Sequence, residues 1–346
     1  RGERRLAKNY LSIDRKGTTQ ESYTTIEKAI LGLVLVVSLF LRVYALDVFI
    51  TVDEPNWRTR SINFEQALAD RAWEETNQSE HPGVLTMWCG VLASRLVEAT
   101  GAPDLTPDLI RRWLRGEISP ARGLFYPVTL WARRIIAFTT WIGIVIASLL
   151  LRRAFDRRSS LIATTFIALD PFYLFHSRLH HLDGLLATFV MLSVVSLLAY
   201  TRGRRRPGYL VLSAVTAGLA IANKSPGLFL VPWTAVVLLL GAWRNGGVQQ
   251  RRNLVRATGT ILLWGGVAAI IIVAIWPALW VEPLGTLHKV LSGALGQGLT
   301  PHENSNFFWG QVRPDPGPAF YPVAWAFRTK PRVYSKVVSS KPMRKP

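Results

Sequence analysis

Two adjacent carboxylates, Asp53 and Glu54, follow directly on a long apolar run over residues 30–46. Carboxylates beside a hydrocarbon layer are costly unless they face water, a cavity or a partner. The next residue, Pro55, restricts the backbone at this point. Such a pair could take a proton from a reacting hydroxyl group, or it could belong to an ordinary acidic loop beside a membrane. The local sequence leaves both interpretations open.

Two further polar stretches carry residue types that suit acid–base and phosphate chemistry. The first, over residues 176–183, reads HSRLHHLD and contains three histidines, Arg178 and Asp183. The second is Asn223-Lys224, between two apolar runs. Acid, base and cation together at a membrane surface suit chemistry on a charged lipid headgroup.

The spacing of His176, His180 and Asp183 allows more than one role. On a continuous helix these residues, at i, i+4 and i+7, would share one face and could bind zinc. Histidines of this kind are more often hydrogen-bonding groups. Asp183 could equally cap the following helix or contact an acceptor. A single cysteine, Cys89, excludes an intramolecular disulfide and a cysteine-cluster metal site.

The elements that must position these groups are apolar. Of the 346 residues, 49% are hydrophobic and only 18% are charged. Several apolar runs approach the length of roughly 20 residues that crosses a bilayer. An all-α polytopic membrane protein is therefore predicted. The net charge of +19 would suggest nucleic acid in a soluble chain. Here the basic residues lie between apolar runs, where they set topology, so no nucleic-acid partner is expected.

Basic segments on the cytoplasmic side determine the predicted topology. Residues 84–97 are too short to span and are predicted to form an interfacial helix. The polar groups then share the external face of a multi-pass protein, expected in the plasma membrane. The predicted segments are a cytoplasmic stretch at 1–28, a transmembrane domain at 29–328 and a basic tail at 329–346 that has the character of a truncated end. Within that domain, external loops are predicted at 47–130 and 281–321, and spans at 29–46, 134–151, 161–175, 185–200, 209–222, 228–243 and 258–280.

Eight short motifs occur in a fixed order along the chain. They are Asp53-Glu54-Pro55, Glu80-His81-Pro82-Gly83, Ala132-Arg133-Arg134, Ser177-Arg178-Leu179, Asp183-Gly184-Leu185-Leu186, Lys224-Ser225-Pro226, Phe307-Phe308-Trp309-Gly310-Gln311 and Phe320-Tyr321-Pro322. This ordered set resembles the family 39 glycosyltransferases, which include the dolichyl-phosphate-mannose protein O-mannosyltransferases and the aminoarabinose transferases of lipid A. The resemblance covers about residues 26–328. This sequence departs from the family pattern at His81, where a lysine is often found, at Ser225, where glycine is usual, and in lacking the last spans and a C-terminal domain.

The resemblance implies a glycosyltransferase C-type transmembrane helix bundle whose external loop contains interfacial helices. It also implies a polyprenyl-phosphate sugar donor and direct displacement at the anomeric carbon with inversion. A mannose-like hexose would pass to a hydroxyl of a protein Ser or Thr, a lipid or a glycan. Asp53 would be the general base, Glu54 would orient it or bind acceptor, and Asp183 would complete the catalytic set.

The resemblance also implies how the lipid phosphate is held. The implied phosphate ligands are Arg133, Arg134, Arg178 and Lys224, although the first two could also anchor a helix at the interface. Glu80 and His302 would bind a divalent cation.

Two other functions fit a polytopic chain. A transporter would carry charges near the middle of its spans and symmetric broken helices. The predicted spans are nearly free of charge at their centres, apart from the interruption at Asp170-Pro171. A non-catalytic membrane subunit is the third possibility.

Overall fold

The computed structural model describes residues 22–100, 126–203, 205–243, 247–299, 306–313 and 315–328. Most of these residues lie in helices, and the described part of the chain holds one sheet, a short two-stranded hairpin. Two 3₁₀ turns, Trp73–Thr76 and Ser225–Phe229, join helices at one end of the bundle. The helices are α1 (Thr25–Val43), α2 (Glu54–Asp70), α3 (Val84–Ala99), α4 (Tyr126–Ala154), α5 (Arg157–Leu169), α6 (Pro171–His176), α7 (Leu182–Arg202), α8 (Pro207–Asn223), α9 (Leu230–Trp243), α10 (Gly247–Ile275), α11 (Ala278–Val281), α12 (Pro283–Leu299) and α13 (Phe320–Arg328).

Four helical segments of the described chain are long and apolar enough to cross a membrane. They are α4, α7, the 3₁₀ turn joined to α9, and residues Gln249–Ile275 of α10. The apolar helix α8 is shorter, at 17 residues. Helix α1 has apolar central turns between Glu27 and Lys28 at one end and Arg42 at the other. The helical, multi-pass character predicted from hydropathy is confirmed.

Small residues let the central helices approach one another closely. Helix α7 packs between α4 and α8, and α8 packs in turn against α10. A Cβ atom at Gly218 would lie 2.7 Å from the carbonyl oxygen of Ala268, so the two backbones meet there. Close backbone approach of this kind stabilises helix pairs where lipid removes any hydrophobic driving force.

One predicted span is broken in the structure. Helix α5 ends at Leu169, and Asp170 then caps α6 by accepting a 2.6 Å hydrogen bond from the backbone N–H of Tyr173. Pro171 takes the first position of α6, where a missing N–H costs nothing. The apolar run at 161–175 therefore forms two helices.

The helix predicted at 84–97 is present as α3, but it does not lie alone on a surface. It packs against α2 and α4, and Val84, Met87, Ala93 and Val97 are all buried. Trp88 donates to the carbonyl oxygen of Ile275 at 2.9 Å, which ties α3 to the end of α10. The predicted interfacial helix is thus an integral part of the core.

The second predicted external loop contains regular structure. Helix α12 fills most of its first part, directly after α11, and strands β1 (Asn306–Phe308) and β2 (Gln311–Arg313) pair antiparallel further on. Trp309 and Gly310 join them with φ angles of 51° and 78°. Positive φ at both central positions is typical of a tight hairpin turn.

The buried side chain of Asn223 joins three elements at one end of the bundle. Its Oδ1 accepts from the hydroxyl of Thr86 at 3.1 Å, and its Nδ2 donates to the carbonyl oxygen of Leu182 at 2.8 Å. Its own carbonyl oxygen accepts from the N–H of Gly83 at 2.9 Å. The end of α8 is thereby fixed to the starts of α3 and α7, and Lys224 follows directly.

Candidate active site

Asp183, in the first turn of α7, is the centre of a polar cluster. Lys224 Nζ lies 2.7 Å from one of its carboxylate oxygens, Oδ1. The other oxygen, Oδ2, lies 3.3 Å from Nδ1 of His181 and 3.7 Å from Nδ1 of His176. The backbone N–H of Asp183 is in the N-terminal turn of a helix, where a negative charge is favoured. The structure thus brings together two histidines, a carboxylate and an ammonium group from three segments.

Asp53 lies beside this cluster and is open to solvent. Its side chain is 59% exposed, and its Oδ2 lies 3.6 Å from Nε2 of His181. Asp53 precedes α2 but makes no side-chain capping bond to it. The imidazole of His181 therefore stands between two carboxylates, with one ring nitrogen towards each. An exposed carboxylate with a histidine behind it is well placed to meet an incoming hydroxyl group.

Glu54 has a wholly different environment from its neighbour Asp53. Its side chain is fully buried and is bound by Arg133 in a bidentate pair, with an Nε–Oε1 distance of 2.6 Å. The N–H of His180 and both the N–H and hydroxyl of Thr51 also donate to its carboxylate. Burial alone would raise the pKa of Glu54, but these hydrogen bonds outweigh it and hold the pKa below its usual value. A carboxylate so fully bonded has no oxygen open to an acceptor.

Arg133 is likewise committed to the protein. Besides its two bonds to Glu54, its guanidinium donates to the carbonyl oxygens of Leu46 and Phe49. Four of its five N–H donors are used in this way. The residue is 1% exposed. The predicted roles of acceptor binding for Glu54 and phosphate binding for Arg133 therefore need correction. Their geometry is that of an anchor that holds the segment between α1 and α2.

The other predicted arginines lie away from Lys224. The guanidinium of Arg134 sits over the ring of Trp131, 4.7 Å from its centroid. Arg178 donates to the carbonyl oxygens of Tyr44 and Ala45, and burial lowers its pKa somewhat. Within the described residues, Lys224 is the predicted phosphate ligand that contacts the carboxylate cluster. Arg178 borders a separate small cavity, whose lining is Ala45, Leu46, Phe49, Arg133, Phe175, Arg178 and Leu179.

The predicted divalent-cation pair cannot be assembled from the described residues. Glu80 is exposed, and its side chain lies against Gly293 of α12. His302 lies outside the described residues. The neighbouring His81 is half-buried near the cluster. Burial, followed by the charges of Lys224 and Arg60, lowers its pKa below the usual histidine value.

The histidine spacing predicted for zinc is not realised, because residues 177–181 form a turn between α6 and α7. His180 points into the core, where its Nε2 lies 3.2 Å from the carbonyl oxygen of Thr86. It is fully buried, and burial lowers its pKa to about 4. His181 takes the place beside Asp183 that the helical spacing had given to His180.

The buried position of His180 predicts a loss of stability in mild acid. Its pKa is about 6.5 in the unfolded chain and about 4 in the folded one, so the unfolded state binds the extra proton first. Stability should fall by about 3 kcal/mol between pH 6.5 and pH 4 from this group. The measurement is the apparent unfolding temperature in detergent across this range, for wild type and His180→Gln. The unfolding temperature of the variant should depend less steeply on pH than that of the wild type. The same pH dependence in both proteins would contradict the prediction.

Sequence reasoning missed His181 and Asn223 as organising residues. His181 lay inside a stretch already recognised, but the choice between adjacent histidines depends on a turn whose shape the sequence does not show. Asn223 was noted only as part of the polar pair Asn223-Lys224 between two apolar runs, and the sequence does not show which segments its side chain joins. A Cβ atom at Gly184 would lie 2.5 Å from the carbonyl oxygen of His176, so glycine permits the contact between α6 and α7 that completes the cluster.

Known proteins show where this architecture occurs. Residues 118–290, half of the chain, match the family model of the dolichyl-phosphate-mannose-protein mannosyltransferases. Among solved structures, the protein O-mannosyltransferase complex Pmt1–Pmt2 of S. cerevisiae, bound to the sugar donor, is similar with a TM-score of 0.55 at 16% identity. The similarity covers 78% of this chain and 35% of the yeast chain, so the protein spans about a third of that relative's length. A search of curated proteins finds no match.

The structural likeness confirms the predicted fold class, a polytopic bundle of the glycosyltransferase C type. The family match covers the segment that holds α4, α7 and α8, and with them Arg133, His181, Asp183 and Lys224. The matched segment begins after Asp53, so Asp53 lies outside it. The structure places Asp53 beside His181. With half of its length matched, the chain belongs to the dolichyl-phosphate-mannose-protein mannosyltransferase family.

Proposed function

We propose that the protein is a membrane glycosyltransferase that transfers a mannose-like hexose from a polyprenyl-phosphate donor to an acceptor hydroxyl group. One observation carries the proposal: an exposed carboxylate, Asp53, and an ammonium group, Lys224, lie on either side of the His181–Asp183 pair. The base and the phosphate ligand thus lie on opposite sides of one polar cluster, which is the order that an acceptor hydroxyl and a leaving phosphate need. The predicted topology puts this end of the bundle on the extracytoplasmic face.

An apolar groove begins close to Lys224 and suits the lipid part of such a donor. It runs between α7 and α9, and its lining contains no charged side chain. A donor with its phosphate at Lys224 could lay its prenyl chain along this groove. The lining residues are Val190, Val194, Pro226, Phe229, Leu230, Pro232, Trp233 and Val236.

The reaction is a single displacement. The acceptor oxygen bonds to the anomeric carbon from the face opposite the phosphate, and the bond from that carbon to the phosphate oxygen breaks, which inverts the configuration. Asp53 takes the proton of the hydroxyl group as the nucleophile loses it. The leaving polyprenyl phosphate gains a negative charge, which Lys224 stabilises more strongly in the transition state than in the bound donor. The ammonium group has three N–H donors, and Asp183 holds one of them in position.

Transfer of label from polyprenyl-phosphate [³H]mannose tests the proposal. Membranes containing the wild type should transfer label to a Ser/Thr-containing acceptor peptide. Lys224→Ala should reduce transfer by roughly 100-fold or more, because a charged donor to the leaving group is lost. Lys28→Ala, an exposed lysine in the first turn of α1, is the matched control and should transfer at the wild-type rate. Label that accumulates inside sealed vesicles without transfer would contradict the proposal and indicate a transporter.

A further inference from the structure

His176, His181 and Asp183 present three metal-binding atoms to one point. One possible ligand atom from each of the three residues lies within 4.8 Å of those from the other two. From Oδ2 of Asp183, the distances are 3.3 Å to Nδ1 of His181 and 3.7 Å to Nδ1 of His176. Zinc bonds of about 2.0–2.2 Å in a tetrahedral arrangement place neighbouring ligand atoms roughly 3.4 Å apart. These two distances are therefore close to the separation that a zinc ion requires.

The two imidazole rings are held in place before any metal binds. The rings of Phe172 and Phe175 pack on His176, with centroids 4.4 Å and 5.3 Å from it. The rings of Trp57 and His181 are nearly perpendicular, and their centroids lie 6.4 Å apart. The side chains of His176 and His181 are 19% and 17% exposed. Ligands that are already oriented and partly shielded from water lose little entropy when a metal binds.

The surrounding groups also complement a metal. Lys224 hydrogen-bonds to the Oδ1 atom of Asp183 and leaves Oδ2 to face the histidines. The far nitrogen of His181, Nε2, faces the Asp53 carboxylate at 3.6 Å. A carboxylate behind a metal-binding histidine is the usual support for such a ligand, since it fixes the ring and increases its basicity.

The types of ligand indicate which metal is held. Two imidazole nitrogens and one carboxylate suit zinc, whereas magnesium and calcium are held mainly by oxygen. We propose that His176, His181 and Asp183 bind one Zn²⁺ ion whose fourth position is open to water or to a phosphate oxygen of the lipid donor. The donor phosphate in that position rests on the proposed function, whereas the metal site itself does not.

Metal content is the first test. The full chain is purified in detergent through a tag without histidines, stripped with a chelator, reloaded with zinc and dialysed. Mass spectrometry of the metal should find one zinc ion per chain in the wild type and in His288→Ala, which replaces an exposed histidine of α12. His176→Ala and Asp183→Asn should retain less than about a tenth of that zinc, because two remaining ligands bind weakly. Asp183→Asn keeps the side-chain volume, so a loss of zinc there, with unchanged size-exclusion behaviour, is not a folding defect.

Cobalt substitution separates the metal site from the donor phosphate. The cobalt protein should show the visible absorption of a four-coordinate ion, and polyprenyl phosphate should shift these bands. Cobalt bands that do not respond to the lipid would contradict the binding of the donor phosphate in the fourth position, but not the metal site itself. A wild type that transfers mannose with no bound zinc, before and after reloading, would overturn the metal site and leave the proposed function intact.

Discussion

Asp53→Asn is expected to lower sugar transfer by about 100- to 10,000-fold, because the amide cannot take the proton of the acceptor hydroxyl. The fold should survive, since the Asp53 side chain is 59% exposed and makes no capping bond. The apparent affinity for the lipid donor should change far less than the rate, because Asp53 lies across the cluster from Lys224 and acts on the donor phosphate only through His181. Initial rates of transfer at several donor concentrations measure both quantities.

Two matched variants make this result specific. Asp47→Asn removes an exposed carboxylate from the same segment and should transfer at the wild-type rate. Asp53→Glu keeps the base but moves it by one methylene, and it should retain part of the activity. Equal transfer by wild type and Asp53→Asn would refute the assignment of the base.

Glu54→Gln is expected to destabilise the protein by about 3–5 kcal/mol, although it changes a single atom. The substitution leaves the Arg133 guanidinium buried without its counter-charge, 1% exposed and surrounded by backbone carbonyls. The apparent unfolding temperature should fall by about 4–7 °C, which tryptophan fluorescence can follow in detergent.

An exposed ion pair provides the control for the buried one. Arg95 pairs with Glu65 and Glu98, and its side chain is 60% exposed. Arg95→Ala should therefore cost less than about 1 kcal/mol. The double variant Glu54→Leu, Arg133→Met should be more stable than Glu54→Gln, because no buried charge is left uncompensated. A melting temperature of Glu54→Gln equal to that of Arg95→Ala would show that the buried pair contributes little.

The substitution at Asp53 is expected to lower activity, whereas the one at its neighbour Glu54 is expected to lower stability. The sequence alone does not show this difference. Asp53 and Glu54 have the same chemistry, and Arg133, 79 residues further on, decides which of them is buried. Arg133 and Arg134 present the same problem, since consecutive helical positions lie about 100° apart and face different neighbours. The predicted phosphate ligands were chosen by residue type, and only packing separates them.

Hydropathy predicted the positions of the helices better than residue spacing predicted the positions of the site side chains. The helix predicted at 84–97 is observed at Val84–Ala99, and Pro171 marked the break after Leu169. The histidine spacing failed because it assumed one continuous helix over residues 176–183. The observed turn moves His180 into the core and puts His181 beside Asp183. A period of about 3.6 residues holds only where the backbone is helical.

The contacts of Asn223 have a consequence for the order in which parts of the protein can pack during synthesis. Thr86 and Asn223 are 137 residues apart, and Glu54 and His180 are 126 apart. At about 5–20 residues per second, a ribosome needs roughly 7 to 27 s to supply Asn223 after Thr86. During that interval the starts of α3 and α7 have no common partner, whereas Glu54 can already meet Arg133. The end of the molecule that carries Asp53 and Lys224 therefore cannot close before synthesis has passed residue 224.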